Sequence, residues 1–481
     1  FSAAAGVGVG RARAVVYIWA DAGAAHYGVS TGFGALATTF IPAPRRAQLQ
    51  RSLVRSHAAG SGELVEDEVI RAMMALRIQS LATGHTGIRP ETLRTYVGVL
   101  NAGIIPVVHE YGSLGCSGDL SPLAHCALVL MGEGRARYQG EEVDGEEALQ
   151  RAGLDPVELT EKEGLALING TDGMLAMAAL AIVDFEQLLD VLDLAAAMSI
   201  DALLGTDSAF EAGLIALRPQ VGQQASAANI SRYMAGSQIR ESHRGGTDTR
   251  VQDAYSMRCA PQVAGAARDT LAHARTIAER ELASAIDNPV IYEGRIASNG
   301  NFHGAPIGYI LDFLAIAVAD VASISERRTD RLLDTARNQG LPPFLAHEPG
   351  VDSGMMIAQY TAAGIVSTLK RYAAPASVDS IPSSAMQEDH VSMGWAAGRK
   401  LRRALAGLAQ VAAIEMLCAG RALQLRAPLQ SSPAIQRVLA VFAEAGIEPP
   451  GPDRFLSADI ARATTLVTTG AALAAAQKEP A

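Results

Sequence analysis

Apolar positions recur at spacings of three and four over most of the chain beyond Gly173. Val263, Ala267, Leu271, Ala274, Ala278, Leu282 and Ala285 form one such stripe, with Arg268, Arg275, Glu279 and Arg280 between them. The spacing predicts a long helix with one buried face, stopped by the turn signal Asp287-Asn288-Pro289. Stripes of the same period run through Ile307–Arg327, Ile357–Tyr372 and Met393–Leu423. Strand signals are few; the stretch from Arg137 to Val143 predicts a short hairpin. No internal repeat or low-complexity linker interrupts the pattern. It predicts a mainly α protein with an N-terminal domain over residues 1–172, a long central helical bundle over 173–430 and a C-terminal helical segment over 431–481. Bundles carry their sites where helices face one another or end.

Composition sharpens this picture. With 49% hydrophobic and 19% charged residues among 481, disorder is excluded. Aromatics are only 5%, and much of the apolar share is alanine, which forms helices well and lets them pack closely. The net charge of −10 argues against a general nucleic-acid binder. Cys116, Cys126, Cys259 and Cys418 lack C-x-x-C spacing, so neither a disulfide framework nor a zinc site is readable, and no metal is expected. A reducing cytoplasm is the expected location. No membrane span is expected either. The apolar stretch from Met174 to Leu204 is broken by Asp184, Glu186, Asp190, Asp193 and Asp201, and Thr464 to Gln477 is too short. The N-terminus has no initiating Met and no signal-peptide layout, so the chain is expected to start inside the natural protein.

Between the helices lie segments dense in Gly, Ser, Asn, His and Asp: His26–Gly34, Gly112–His125, Leu167–Gly173 and Ile381–Gly394, with Arg250–Cys259 and Ser298–Gly304 almost as unusual. Loops of this kind on a rigid scaffold are where catalysis usually sits. The run from Gly112 to Asp119 is neither a nucleophile elbow, since Ser117 is followed by Gly118 and Asp119, nor a phosphate loop, since it has no Lys. Read plainly, it is a glycine-rich turn with Asp119 capping a helix that starts near Leu120-Ser121-Pro122. A chemical reading stands beside that one. The Gly118 nitrogen lies two residues after the Cys116 carbonyl, and glycine's freedom allows it to fold back. Closing that ring and dehydrating Ser117 would leave an exocyclic methylidene, a strong electrophile in which the Cys116 side chain is only a passenger. The following helix start would place positive dipole near the ring.

The run GSLGCSGDLSPLAH resembles the signature of the ammonia-lyases that carry a 4-methylidene-imidazol-5-one (MIO) group formed autocatalytically from such a tripeptide. HYGVSTGFG, LINGTDG, QDAYSMRC, NFHG, GLPPFLA, SGMMIAQ and SVDSIPSSAMQEDHVSM follow in that family's order. The resemblance implies a fumarase/aspartase-like helical bundle and a homotetramer whose active sites are assembled from several chains. It implies attack of the substrate on the methylidene, by a Michael-type or a Friedel–Crafts route, and removal of a β-proton. Tyr27 matches the base, although a phenol with a pKa near ~10 needs its phenolate stabilised; read alone it is a buried Tyr in a glycine turn. Arg258 matches the residue that holds the substrate carboxylate, for which a planar fork is suited. Asn169, Gln252 and Tyr255 match residues around the ring, and Phe302 one that packs on substrate. His57 and Glu388, followed back to Gln387, match the positions that meet the side chain of the substrate. His57 is followed by Ala58 where relatives acting on phenylalanine or tyrosine have Leu, and a carboxylate suits an imidazole better than a phenyl ring. The implied substrate is L-histidine, with trans-urocanate and ammonia as products. An aromatic amino-acid lyase or 2,3-aminomutase with the same group remains an alternative, as does a silent helical scaffold that never cyclises its tripeptide. His125, His303 and His390 are read as structural.

Four positions depart from the family's commonest pattern: Cys116 stands where Ala is usual, Ala254 where Pro is frequent, Asp172 for Gln and Met386 for Asn. The stretch before Tyr27 matches poorly.

Overall fold

The apolar stripes become long helices at Ala260–Leu282, Ala305–Leu333, Met356–Tyr372 and Gly394–Gln424, and a further one spans Asp172–Ala202. These are seen in a computed structural model, which describes residues 3–21, 25–245 and 251–478. Helix accounts for 62% of the chain, so the mainly α expectation holds. Helix Ala260–Leu282 stops just before the Asp287-Asn288-Pro289 turn, as its sequence requires.

Packing divides the chain into two units. The first comprises Phe1–Leu180, Thr276–Asp312 and Pro375–Arg399; the second comprises Ala181–Arg275, Phe313–Ala374 and Lys400–Ala481. A division into contiguous blocks ending at residues 172 and 430 was the expectation, whereas each unit is assembled from three stretches. The reason is length: a 31-residue helix is about 46 Å long, and four of the five long helices contribute residues to both units.

The core of the first unit gathers Val54, Ile70, Met73, Met74, Leu93, Tyr96, Leu123, Leu167 and Trp395, all essentially inaccessible. Trp395 donates its indole N–H to the Glu110 carbonyl at 2.6 Å, which satisfies the one polar atom it brings inside. The expected hairpin is present as Arg135–Tyr138 paired antiparallel with Glu141–Asp144, and Ile105–Pro106 adds a third strand. Its turn residues Gln139 and Gly140 both have positive φ (52° and 84°), the conformation two-residue hairpin loops favour.

In the second unit the buried carboxylate of Glu415 collects four donors. Arg328 gives Nε at 2.5 Å and Nη2 at 2.8 Å, Ser199 Oγ lies at 2.7 Å and Ser325 Oγ at 2.5 Å. Arg328 also reaches the Ser256 carbonyl at 3.3 Å, and so braces the short helix Tyr255–Arg258. Two helices, Ala305–Leu333 and Gly394–Gln424, are long and apolar enough to cross a bilayer, and neither was the stretch singled out from the sequence. Of their most apolar windows, 61% and 78% are buried inside the protein, as befits core helices.

Glu415→Ala leaves the Arg328 charge buried without a partner, and is expected to lower stability by about 3–5 kcal/mol, with Glu415→Gln losing less. Thermal melts of the two variants check this, and an unchanged midpoint for Glu415→Ala would contradict it.

Candidate active site

A cavity of about 380 Å³ opens in the first unit, within the size range of small-molecule sites. Phe33, Leu49, Leu53, Leu120 and Leu165 form its apolar wall, while Tyr27, His57, Ser117, Asn169, Asn288 and Glu388 supply polar groups. Residues from five separate loops and helix ends thus meet around Ser117.

The tripeptide is held from three sides. Gly118 has φ +73° and lies against the Gly170 backbone, where a Cβ would overlap the Gly170 carbonyl; only glycine fits. Asp119 N–H donates to that same carbonyl at 2.7 Å. The Gly115 carbonyl accepts from Ser392 Oγ at 2.8 Å and Gly304 N at 3.2 Å. On the cavity side, Asn169 Nδ2 donates to the Ser117 carbonyl at 2.7 Å. The amide orientation of Asn169 follows from its other contact, since its Oδ1 faces the Asn288 N–H at 2.7 Å and an N–H can only donate.

Asp119 does not cap the helix Leu120–Leu130, contrary to expectation. Its carboxylate is turned inward, accepting from Ser113 Oγ at 2.9 Å and Met174 N at 2.8 Å. Complete burial pushes its pKa up to about 7, against the opposing effect of these hydrogen bonds.

Glu388 stands over the tripeptide. Its Oε2 accepts from Cys116 Sγ at 3.1 Å and Ser383 Oγ at 2.9 Å, and its Oε1 from Ser117 Oγ at 3.4 Å. Burial, then the Glu388 charge, pushes the Cys116 thiol up to about 12, so it remains an S–H donor. Glu388 is placed by backbone hydrogen bonds in both directions with Ser383. Between them Ser384, Ala385 and Met386 all have left-handed φ (51°, 52° and 70°), which non-glycine residues adopt at a cost of about 1–2 kcal/mol each. Asn tolerates that region better than Met does.

His57 ends the helix Arg46–His57. Its Nδ1 lies 2.9 Å from the Leu53 carbonyl, an acceptor, so Nδ1 carries the proton and Nε2 is left as an acceptor. Burial lowers its pKa and favours this neutral form, with the Glu388 charge acting weakly in the opposite sense. Tyr27 Oη accepts from Gly34 N at 3.0 Å, and its ring meets Phe33 edge-to-face. Burial raises its pKa and the Glu388 charge raises it further, while the Gly34 hydrogen bond lowers it. The phenol is therefore neutral in this surrounding.

Not every expected site residue reaches the cavity. Cys116 and Gly118 flank Ser117 behind its wall. Phe302 is half-buried in the first unit and Gln387 is exposed, and neither lines it. Gln252, Tyr255 and Arg258 belong to the second unit; Gln252 is exposed, Tyr255 is 71% exposed, and the Arg258 guanidinium stacks over the Tyr255 ring at 4.7 Å. Arg250, which opens that segment, lies outside the described residues. Ala254, at φ −62°, already has the angle that a proline ring would impose. Asp172 pairs with buried Arg77 at 3.0 Å, and Arg77 also donates to the Asn169 carbonyl. No sequence signal marks Arg77 or Lys162 as belonging here, Ser383 falls within the unusual Ile381–Gly394 segment but carries no role of its own there, and Asp287-Asn288 reads only as a helix stop. Among the described residues no group of three or more His, Cys, Asp or Glu is placed to hold a metal ion. His125 accepts from Gly60 N, and His303 stacks on His390.

The Asp119 carboxyl gives a pH test. Its folded pKa of about 7 lies above the unfolded value, so the folded state holds this proton more tightly. The stabilisation is complete below about pH 4 and is lost as pH rises through about 7. Asp119→Asn cannot titrate, so its melting midpoint relative to the parent is expected to improve across that interval. A pH-independent difference would contradict the assignment.

Comparison with known proteins completes the picture. The family profile described as aromatic amino acid lyase matches residues 1–444. A histidine ammonia-lyase of Streptomyces avermitilis is 61% identical over 453 residues, covering 94% of this chain and 88% of the relative. One of Streptomyces griseus is 59% identical over 480 residues, covering 99% and 93%. Among solved structures, histidine ammonia-lyase from Trypanosoma cruzi superposes with a TM-score of 0.90 at 38% identity, covering 99% of this chain and 90% of that one. Tyrosine aminomutase from Streptomyces globisporus gives 0.92 at 36%, covering 98% and 93%. A glycine-framed Cys-Ser-Gly turn beneath an amide donor, in a chain this similar to such enzymes throughout its length, has one reading: the chain belongs to the aromatic amino acid lyase family, whose members break a carbon–nitrogen bond.

Proposed function

We propose that the chain eliminates ammonia from L-histidine to give trans-urocanate, using an MIO group formed from Cys116, Ser117 and Gly118. The observation that carries the substrate is the presence of His57 and Glu388 in one cavity with Ser117. An acceptor nitrogen and a carboxylate suit the two N–H groups of an imidazolium and leave a phenyl ring nothing to satisfy them with. The relatives at 59–61% identity bear the histidine ammonia-lyase name, which supports the same choice. The aminomutase likeness keeps a tyrosine-directed reading as the alternative.

The residues present fit the ring. Gly118 is already turned against Gly170, Ser117 faces the cavity and the Cys116 side chain is directed to Glu388. Once formed, the group would supply an electrophilic carbon beside the substrate. Asn169 Nδ2 donates to the Ser117 carbonyl oxygen, where negative charge would develop, and such donors are worth about 2.7–4 kcal/mol in a transition state. Once its own proton has left to solvent, the Tyr27 phenolate takes the proton from the β-carbon while the bond from the α-carbon to nitrogen breaks, so that a C=C bond and ammonia result. Its phenol, neutral beside a charged Glu388, becomes a stronger acid when the imidazolium of the substrate neutralises that charge. Arg258 holds the substrate carboxylate, with Gln252, Tyr255 and Phe302 around it. The exposure of Gln252 and Tyr255, and their absence from this cavity, support a homotetramer in which they serve the site of another copy. Four free cysteines, three of them buried, suit a reducing cytoplasm.

The intact mass is expected to fall short of the sequence by two waters, and Ser117→Ala to abolish both the deficit and turnover while Cys116→Ala keeps the deficit. Ultraviolet assays with L-histidine, L-tyrosine and L-phenylalanine should show urocanate alone; coumarate or cinnamate without urocanate would overturn the substrate. Mixing and reassembling inactive Ser117→Ala and Arg258→Ala chains should restore part of the activity. Sites built from one chain would restore none.

A further inference from the structure

Behind Asn169 lies an ion pair that none of the roles above uses. Lys162 and Asp287 are both fully inaccessible, with Nζ and Oδ2 2.5 Å apart. Lys162 itself has φ +72°, an uncommon conformation for a non-glycine residue, at the start of the helix Glu163–Ile168 that ends on Asn169. The other oxygen of Asp287 accepts the Asn288 N–H at 2.8 Å, the same N–H that meets Asn169 Oδ1 at 2.7 Å. The Asp287 carbonyl is taken by Asn299 Nδ2 at 3.0 Å, and the neighbouring Ile286 carbonyl by Arg77 at 2.9 Å. The peptide between Asp287 and Asn288 is therefore fixed in position and direction.

We infer that Lys162 and Asp287 are positioning residues that set the amide orientation of Asn169 through the Asn288 N–H. A primary amide can rotate by half a turn with almost no change in shape. Rotated that way, Asn169 would turn oxygen toward the Ser117 carbonyl and lose the donor on which the electrophile depends. The Asn288 N–H forbids the rotation, because its partner must be an acceptor. Two charges without access to water are a poor source of net stability, since an apolar pair of similar volume is often as stable. Burial lowers the Lys162 pKa and raises that of Asp287; the Asp287 charge opposes the first shift, and the Lys162 and Arg77 charges oppose the second. What the pair supplies is direction: a lysine anchored at one end of the helix and a carboxylate gripping the peptide that faces its other end.

The inference rests on the MIO reading, and the test separates the two. The double variant Lys162→Met/Asp287→Leu removes both charges together, and Lys162→Met/Asp287→Asn keeps the acceptor for Asn288 N–H without the charges. Each is checked by intact mass, by kcat and KM, and by the rate at which the folded protein takes up 2-mercaptoethanol. That uptake forms one C–S bond at the methylidene carbon, moves the thiol proton to the ring, and adds the mass of one thiol. Parent protein lacking the two-water deficit would overturn the MIO reading itself, and the inference with it. With the deficit present throughout, the Leu variant is expected to lose about 10²-fold in kcat, the range for a lost oxyanion donor. Its KM should stay within about twofold and thiol uptake should slow in parallel, with the Asn variant, which keeps the acceptor but not the charges, losing less, about tenfold in kcat. A Leu or Asn variant with the full deficit and parental kcat and thiol uptake would overturn the inference. So would a folded variant that lacks the deficit, because the pair is assigned to the polarity of the ring and not to its formation. Should the Leu variant fail to fold, the isosteric Asn variant decides: loss of about tenfold or more in kcat at unchanged KM, with slowed thiol uptake, supports the charge-based grip, and unchanged values refute it.

Discussion

The 2.7 Å hydrogen bond from Asn169 Nδ2 to the Ser117 carbonyl is the contact around which this site is organised. As a contribution to stability it is worth only about 1 kcal/mol. Its importance is geometric, because it fixes one carbonyl oxygen against one donor at the floor of the cavity. Asn169 is pinned at three atoms: its carbonyl by Arg77, its Oδ1 by Asn288 N–H, and its Nδ2 by Ser117. Segments far apart in the chain, around residues 77, 117 and 288, are thereby tied to a single residue.

Buried ion pairs lie beneath several segments in both units that carry expected site residues. Arg77 pairs with Asp172 beneath the Asn169 turn, and Arg89 binds Glu163 at the start of the helix that leads into it. Arg328 and Glu415 brace the helix carrying Tyr255 and Arg258. Such pairs add little net stability, but breaking one is severe. They act as rigid struts for loops whose backbones cannot rely on regular secondary structure. Asp172 belongs to this set, its carboxylate pairing with the buried Arg77 guanidinium.

Strain is concentrated on the opposite wall. Three consecutive left-handed residues, Ser384 to Met386, turn the chain so that Glu388 comes over the tripeptide. Ser384 Oγ accepts the Ala35 N–H, tying this turn to the loop that carries Tyr27. Glu388 then couples to every group around it: it accepts from Cys116, Ser117 and Ser383, raises the Tyr27 phenol and opposes the lowering of His57. The Cys116 side chain is thus a passenger in ring closure while still donating to the carboxylate above it.

Helical periodicity, the alanine-rich composition and the hairpin signal were enough to determine the long helices and the mainly α class, because each depends on local spacing and on which face is buried. The Cys-Ser-Gly turn was legible in its own residues, whereas Tyr27, His57, Asn169 and Glu388 were expected from the family resemblance; the fold places all four in one cavity with Ser117. The two units were not legible, since helices of 23 to 31 residues contribute to more than one core and contiguity fails as a guide. Nor was the inward turn of Asp119, which reads locally as a cap but finds better partners in Ser113 and Met174. Lys162, Asp287 and Asn288 are unremarkable in sequence; a buried ion pair between residues 125 positions apart exists only once the chain is folded. Sequence determined which groups could do the chemistry, and tertiary structure decided which atoms face one another, because hydrogen-bond direction depends on partners that local spacing does not specify.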